Sequence, residues 1–224
     1  MTGARAVRVV AKPLVFAAAL VPLGALIAGA LAGALGANPI ETITHTTGDW
    51  TLRFLLLTLA ITPLRALTGW NPVVRFRRML GLFAFFYGVL HLSTYVVLDK
   101  FFAWSEILRD LSHRRFIIVG AFAMLLLVPL AATSTAGMIR RMGGRAWRAL
   151  HRLIYLAAFA GVVHYWWLVK ADTSRPRNYA LVLLLLFGAR LAAAWRRRRS
   201  ATSPPRPRTS FSPTRSSPGA ATGR

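Results

Sequence analysis

Three histidines lie within strongly apolar stretches of the chain, where an imidazole is energetically costly and therefore informative. His151 and His164 fall in WRALHRLIYLAAFAGVVHYWW (147–167), and His91 falls in FAFFYGVLHLSTYVV (83–97). Imidazoles that face each other from two helices are common axial ligands of haem iron. The sequence contains no cysteine, which excludes thiolate-ligated haem, cysteine-held iron–sulfur clusters and covalent c-type attachment. The histidines therefore predict a b-type haem that is held without a covalent bond.

The spacing of the histidines leaves their pairing open. Thirteen residues separate His151 from His164, which on an ideal helix gives about 20 Å of rise and roughly 220° of rotation. The two rings are therefore expected at different depths, and they share no face unless the helix bends near Gly161. From the spacing alone, His91 on the third predicted helix can meet either His151 or His164 on the fifth.

Small residues near the histidines are expected to let a flat macrocycle approach the backbone. They are Gly81, Gly88, Ala157, Ala158, Ala160 and Gly161. Hydrogen bonding across helices is the alternative role for each histidine. Zinc is a weaker alternative, because three histidines at such different depths do not close one tetrahedral site. His45 and His113 fall in segments predicted to be outer loops, and we interpret them as surface residues.

Arg77 and Arg78 are candidates to pair with haem propionates or a flavin phosphate, as are Arg140 and Arg141. Membrane topology explains the same arginines equally well, because cytoplasmic loops of membrane proteins are enriched in Lys and Arg. Both interpretations remain open from the sequence.

The composition places the histidines in a membrane-embedded helical protein. Of the 224 residues, 55% are hydrophobic, and the mean hydropathy is +0.49. A net charge of +23 would suggest nucleic acid in a soluble protein, but here the arginines lie between and after apolar segments, so no nucleic-acid partner is expected. The fold class predicted is an all-α integral membrane protein of six transmembrane helices. The predicted spans are 13–35, 50–67, 79–98, 116–132, 148–169 and 178–194.

Charge asymmetry predicts the orientation of these helices. Twenty-one basic and no acidic residues fall in the segments on one side, against eight basic and all six acidic residues on the other. This difference predicts that both termini lie in the cytoplasm. Residues 1–12 would be a cytoplasmic N-terminus, 13–195 the helical domain, and 196–224 a disordered basic tail near anionic lipids. The first span is expected to be retained, with cleavage near Ala37 as the alternative.

Several motifs together resemble a known family. They are NPIETITHTTGDW (38–50), ITPLR (61–65), RFRRMLGLFAFFYGVLHLSTY (75–95), ATSTAGMIRRMG (132–143) and WRALHRLIYLAAFAGVVHYWWLVK (147–170). Over about residues 10–195 the chain resembles the ferric-reductase-like transmembrane domain shared by NADPH oxidases and six-helix metalloreductases. More closely, it is similar to the MsrQ family, the haem-binding membrane subunits of bacterial systems that reduce methionine sulfoxide in proteins.

The resemblance implies an electron carrier of the bacterial inner membrane rather than a catalytic subunit. It implies b-type haem on His91, His151 and His164, and FMN as a further cofactor. The oxidases of this family carry two histidines on each of two helices, whereas the position fourteen residues after His91 is Ser105. Against that pattern His91 with His151 is the favoured pair, His91 with His164 stays open, and a second haem would have an unusual partner ligand or none.

The resemblance also implies electrons from the quinone pool or a cytoplasmic flavin reductase, passed to a periplasmic molybdenum-dependent methionine sulfoxide reductase that repairs oxidised proteins. The sequence carries no nucleotide-binding motif, so the donor is expected to be a separate molecule. A ferric or metal reductase with another acceptor, a proton-coupled transporter and a membrane anchor are the alternatives.

Overall fold

The computed structural model describes residues 7–201, and within this range every regular element is a helix. A π-helical turn at Val7–Ala11 leads into α1. The first four helices are α1 (Lys12–Leu31), α2 (Pro39–Thr68), α3 (Arg77–Ser93) and α4 (Trp104–His113). The last four are α5 (Arg115–Ala132), α6 (Ala136–Leu150), α7 (Leu153–Leu168) and α8 (Ser174–Ala201). A 3₁₀ turn (Asn71–Phe76) precedes α3, and a π-helical segment (Thr94–Asp99) extends it.

Five of the six predicted spans each coincide with one helical segment, and the fifth, 148–169, is divided between α6 and α7. The all-helical membrane fold is confirmed. Five segments are long and apolar enough to cross a bilayer: Val9–Leu31, Pro39–Thr68, Asn71–Asp99, Arg115–Ala132 and Ser174–Arg196. The remaining predicted span is represented by α7, which has 16 residues. A helix of this length is about 24 Å long, shorter than the hydrocarbon core of a bilayer, which is about 30 Å thick.

Successive spans run in opposite directions and therefore define two ends of the bundle. The turn at 69–76 and the stretch 133–152 lie at one end, here called the basic end. The connections 32–38, 99–114 and 169–173 lie at the other, the acidic end, because all six carboxylates fall in or beside them.

The second span begins earlier than the sequence predicted, at residue 39 instead of 50. Asn38 caps α2 by accepting a hydrogen bond from the Glu41 amide, and Pro39 occupies the first turn, where it is tolerated. The threonines that follow turn their hydroxyls back onto carbonyls of the same helix, as Thr47 does to Ile43 O (2.8 Å) and Thr51 to Thr47 O (2.9 Å). The polar stretch is therefore helical, although its composition suggested a loop.

The fifth predicted span is also different, because it is interrupted at His151. The expected inner loop before it folds as α6, a helix without buried residues that bends at Gly143, where φ is 74° and ψ 147°. Arginines line its exposed surface at positions 140, 141, 145 and 148. This pattern is typical of a helix that lies along the membrane interface rather than crossing it.

The core is formed mainly where α2 packs against α3 and α5 against α7. Alanines make the closest approaches possible, and Ala84, Ala157 and Ala158 are fully buried. Tyr87 joins α1 to this core. Its hydroxyl donates to Ala19 O (2.8 Å) and accepts from Leu23 N (3.2 Å), so it bridges two backbone groups of α1.

The chain separates into two compact units, residues 1–190 and 191–224. The described part of the second unit, 191–201, is the end of α8, in which the Arg199 guanidinium lies 3.5 Å from the centre of the Trp195 ring. Positions 196–201 are thus helical, not disordered as predicted. The remaining tail prediction, for 202–224, lies outside the described residues.

Candidate functional site

His91 and His164 meet inside the bundle near its acidic end. His91 lies in the last turn of α3 and His164 in the last turns of α7, and these two helices run in the same direction. The ring centres are 6.1 Å apart, and the ring planes are inclined by 79°. Neither ring is on the exposed surface. The structure thus brings together one histidine from each of the two helices that the sequence singled out.

Both imidazoles are held through the same ring nitrogen. His91 Nδ1 lies 2.9 Å from Thr44 O, and His164 Nδ1 lies 2.7 Å from Phe116 O. A carbonyl oxygen only accepts hydrogen bonds, so Nδ1 must carry the proton in each ring. The lone pair of each Nε2 is then free to bind a metal. In metal-binding histidines, the ring nitrogen that does not bind the metal commonly donates its N–H to a backbone carbonyl, which orients the ring and raises its basicity.

The spacing of this pair fits a shared iron atom. A bond of about 2 Å from each imidazole nitrogen to one metal, plus the ring radius on each side, places two ring centres about 6 Å apart. The observed 6.1 Å agrees with that distance. Among residues 7–201, no three His, Asp or Glu side chains cluster as an all-protein metal site would require. Two imidazoles are sufficient for haem, whose four remaining ligands come from the macrocycle.

Two glycines that the sequence analysis did not single out make room for the rings. A Cβ at Gly120 would lie 2.6 Å from His164 Nδ1, and a Cβ at Gly48 would lie 3.1 Å from His91 Nδ1. No side chain fits at the first distance without moving the imidazole. Gly48 belongs to the HTTGDW segment at the start of α2 and Gly120 to α5. Only a contact map could have related them to the histidines, because both are distant in sequence.

A group of polar side chains around Asp110, here called the Asp110 cluster, stabilises the end of α3 that carries His91. The Asp110 side chain is 7% exposed and accepts hydrogen bonds from Tyr95 Oη (2.9 Å), Lys100 Nζ (3.1 Å) and Arg114 Nε (3.0 Å). Burial alone would raise the pKa of Asp110, but the hydrogen bonds from Tyr95 and Lys100 hold it below its usual value. Tyr95 lies one turn beyond His91, so Asp110 ties α4 to the end of α3.

His151 lies in a different environment, in the turn between α6 and α7 at the basic end. Its Nε2 is 3.0 Å from Thr133 Oγ1. The Thr133 hydroxyl donates to Pro129 O (2.6 Å), so His151 Nε2 must be the donor in their contact. The ring stacks on Trp147 with centres 3.9 Å apart, and Trp147 Nε1 donates to Thr133 O (2.9 Å). The nitrogen that usually binds iron is therefore engaged.

The favoured pair of His91 with His151 is not what the structure brings together. Arg77 is close enough to His151 that, after burial, its charge further lowers the pKa of that histidine. Arg77 is fourteen residues before His91 on α3, which is about 20 Å along the helix. His91 therefore faces His164, and the α3 residue whose charge acts on His151 is an arginine. The interruption of the helix at His151, which no spacing rule could anticipate, accounts for part of the difference.

The arginine candidates likewise lie away from the histidine pair. Arg77 is beside His151, while Arg78 faces a separate groove between α1 and α3. Arg140 and Arg141 line a cavity of about 510 Å³ at the start of α6. Propionates of a haem on His91 and His164 would thus need other partners.

The remaining sequence candidates have ordinary structural roles. His45 and His113 are exposed, as predicted, although they lie on α2 and α4 rather than in loops. Gly88 allows helix packing, since a Cβ there would lie 3.2 Å from Met124 Sδ, and a Cβ at Gly81 would be in ordinary contact with Thr58 at 3.7 Å.

Comparison with known proteins adds independent support. Residues 47–162 match the family described as ferric reductase like transmembrane component. The protein-methionine-sulfoxide reductase heme-binding subunit MsrQ of Rhodospirillum rubrum is 55% identical over 190 residues, covering 85% of this chain and 91% of the relative. The subunit of the same name from Herminiimonas arsenicoxydans is 51% identical over 189 residues, covering 84% and 87%. No solved structure matches the chain. The resemblance inferred from the motifs is confirmed.

Proposed function

Because the chain belongs to the MsrQ family of heme-binding subunits of protein-methionine-sulfoxide reductases, we propose that it is a b-type cytochrome that passes electrons to a periplasmic methionine sulfoxide reductase. The observation that carries the proposal is the pair of His91 and His164. Both rings donate through Nδ1 to carbonyls and leave Nε2 free, at a separation that suits one iron atom.

The bound haem would supply reversible one-electron chemistry at its iron. The protein's own contribution is to hold two neutral imidazoles in fixed orientations. Thr44 O and Phe116 O fix the tautomer and the direction of each ring. Gly48 and Gly120 admit the rings against the backbone. The apolar surroundings keep water away, which is one of the means by which proteins tune a haem potential.

The two ends of the bundle support electron transfer from the cytoplasmic side of the membrane to the periplasmic side. As a multi-pass protein of the bacterial inner membrane, the chain would place its basic end in the cytoplasm by the positive-inside rule. The histidine pair would then lie near the periplasmic surface, where a soluble acceptor can approach. Electrons would come from membrane quinol or from a cytoplasmic flavin reductase.

The acceptor would dock on the acidic end, on the segments 36–49 and 99–115. Asp110 is engaged with Lys100 and Arg114, and Asp49 lies 3.7 Å from Arg53 and 3.8 Å from Arg175. Charge steering would therefore depend on the exposed charged groups of these segments, which are Glu41, Asp99, Glu106, Arg109, Arg114 and Arg115. Encounters steered by such charges slow down as salt rises.

The basic end would receive the electrons. His151, half-buried beside Arg77, is the histidine nearest the cytoplasm. An anionic group such as the phosphate of FMN, or a propionate of a second haem, would find a charged partner in Arg77. Either cofactor would extend the path across the membrane from the histidine pair.

A reoxidation experiment tests the proposal. The haem in membranes containing the protein is reduced, and the periplasmic molybdenum-dependent reductase is added with a methionine sulfoxide substrate. We expect prompt reoxidation that requires both additions. A haem that stays reduced with the reductase, but is reoxidised by a ferric chelate, would replace this acceptor with a metal and favour the reductase alternative. A preparation without haem would end the electron-carrier proposal altogether.

A further inference from the structure

A groove between α1 and α3 joins a cationic mouth to an apolar floor. It encloses about 470 Å³, within the range of about 300–1,000 Å³ for small-molecule sites. Lys12 from the start of α1 and Arg75 and Arg78 from the start of α3 form the mouth. None of the described residues that line the groove is acidic. Three converging cations favour a phosphate group as the polar part of an occupant.

The rest of the groove is apolar and runs along the helices. Phe16 packs against Phe83 with ring centres 5.2 Å apart and ring planes inclined by 59°, and Phe86 meets Phe83 edge-on at 6.3 Å. Leu20 and Leu82 continue the lining. From Lys12 to Leu20 the groove extends two turns, or about 12 Å towards the middle of the membrane. Phe16 is 51% exposed, and Leu82 and Phe86 are each 36% exposed, so the lining is open to the hydrocarbon.

We infer that this groove binds an anionic phospholipid of the cytoplasmic leaflet, with the headgroup phosphate at Lys12, Arg75 and Arg78 and an acyl chain on the aromatic floor. Basic pockets between helices on the cytoplasmic side are suited to acidic lipid headgroups. The order of the lining, cations at the membrane surface and apolar rings deeper in, matches the order of polar and apolar parts in a phospholipid.

Two other membrane-accessible ligands match the groove less well. A flavin mononucleotide has the phosphate but also a ring edge of nitrogen and oxygen atoms, and beyond the mouth the lining offers these atoms no polar side chain. A quinone has the apolar tail but no charge for three cations to neutralise. The groove is also separate from the histidine pair, so its occupancy does not depend on the proposed electron transfer.

The test is native mass spectrometry of the purified haem-loaded protein, titrated with a mixture of phosphatidylglycerol and phosphatidylcholine of identical acyl chains. We expect phosphatidylglycerol adducts to dominate. Each cation removed by Lys12→Gln, Arg75→Gln or Arg78→Gln should weaken phosphatidylglycerol binding about fivefold. For the three changes combined, the matched control is the triple variant Arg140→Gln, Arg141→Gln and Arg145→Gln, which removes the same three charges from the same end of the bundle and should leave binding unchanged.

A second variant separates the groove from general charge. Leu82→Trp fills the apolar floor without changing any charge, and it should reduce phosphatidylglycerol binding as strongly as the loss of a cation. The haem absorption spectrum of every variant shows whether the bundle is intact. Equal binding of the two lipids, or equal losses in the control triple variant, would overturn the inference. Displacement of the lipid by FMN would also overturn it and assign the groove to a flavin.

Discussion

At the acidic end of the bundle, His91 and His164 both direct Nδ1 to a backbone carbonyl and leave Nε2 free, whereas at the basic end His151 engages Nε2 with Thr133. The first two rings lie against glycine backbones, and the third stacks on Trp147. The same residue type therefore has two kinds of surroundings within one membrane domain. Histidine content alone would not have separated the proposed ligand pair from His151. The difference lies in Nε2, which is free in His91 and His164 and hydrogen-bonded in His151.

The helices explain why the two regions differ. His91 and His164 each lie within a regular α-helix, in the last turns of α3 and α7, so their side chains are fixed by helical backbone. His151 lies in the turn between α6 and α7, where the chain changes direction and the side chain bonds locally. A rigid helix is the better position for an iron ligand, because small displacements weaken coordination.

The largest expected effect is loss of haem when either ligand is removed. His91→Ala or His164→Ala would remove one of the two imidazoles proposed to hold the haem. Since even outer-shell changes weaken metal sites about 10–100-fold, we expect haem content to fall below about a tenth of the unmodified level. The pyridine haemochrome assay measures it. His113→Ala, an exposed histidine, is the control and should retain full haem. Full haem content in the His164 variant would show that His91 and His164 do not hold the haem together.

The next largest effect is expected at the glycines that hold the rings. Gly120→Ala places a Cβ 2.6 Å from His164 Nδ1, and Gly48→Ala places one 3.1 Å from His91 Nδ1. We expect haem affinity to fall about tenfold for Gly120→Ala, by analogy with outer-shell changes, and less for Gly48→Ala. Gly24→Ala is the control, because a Cβ there meets nothing within 4 Å. If Gly24→Ala and Gly120→Ala bind haem equally well, the close fit of the rings against the glycines does not contribute to haem affinity.

A smaller effect is expected from acid at the Asp110 cluster, which holds the end of α3 that carries His91. The pKa of Asp110 is held below its ordinary value of 3.8, so its stabilisation is complete above pH 3.8 and is lost as the pH falls through the lowered value. Trp104 begins α4, and its fluorescence should change in that range. Asp110→Asn should lack this transition and open α4 more easily, by about 1–3 kcal/mol.

Two results would argue against the role of Asp110. One is an acid transition of the same midpoint in Asp110→Asn. The other is a fluorescence change that persists in Trp104→Phe, since another tryptophan would then be reporting it.

The smallest effect on haem is expected at His151. His151→Ala removes one hydrogen bond and one ring stack, about 1–2 kcal/mol together, and should lower thermal stability while the haem on His91 and His164 stays bound. Thr133→Val, which removes the same hydrogen bond from the other side, should behave alike. Complete loss of haem in His151→Ala would restore the first expected pair. Loss of half the haem would identify a second haem at this histidine.

The sequence predicted the apolar spans but not α4, α6 or the early start of α2. Apolar length gave the spans, and the imidazoles at positions 91, 151 and 164 were singled out by their cost in a membrane. Which of these histidines lie close together could not be derived, because it depends on where the fifth span is interrupted, and the residues around 150 remain compatible with a continuous helix. Gly48 and Gly120 were missed for a related reason. Their role exists only across helices, so no local pattern marks it.

Electron paramagnetic resonance of the oxidised protein tests the central claim most directly. Two imidazoles on one ferric iron with planes inclined by 79° are expected to give a strongly anisotropic low-spin signal. We expect this signal in the unmodified protein and in His151→Ala, and its absence in His91→Ala and His164→Ala. A low-spin signal that survives in His164→Ala and disappears in His151→Ala would contradict the assignment of the iron to His91 and His164.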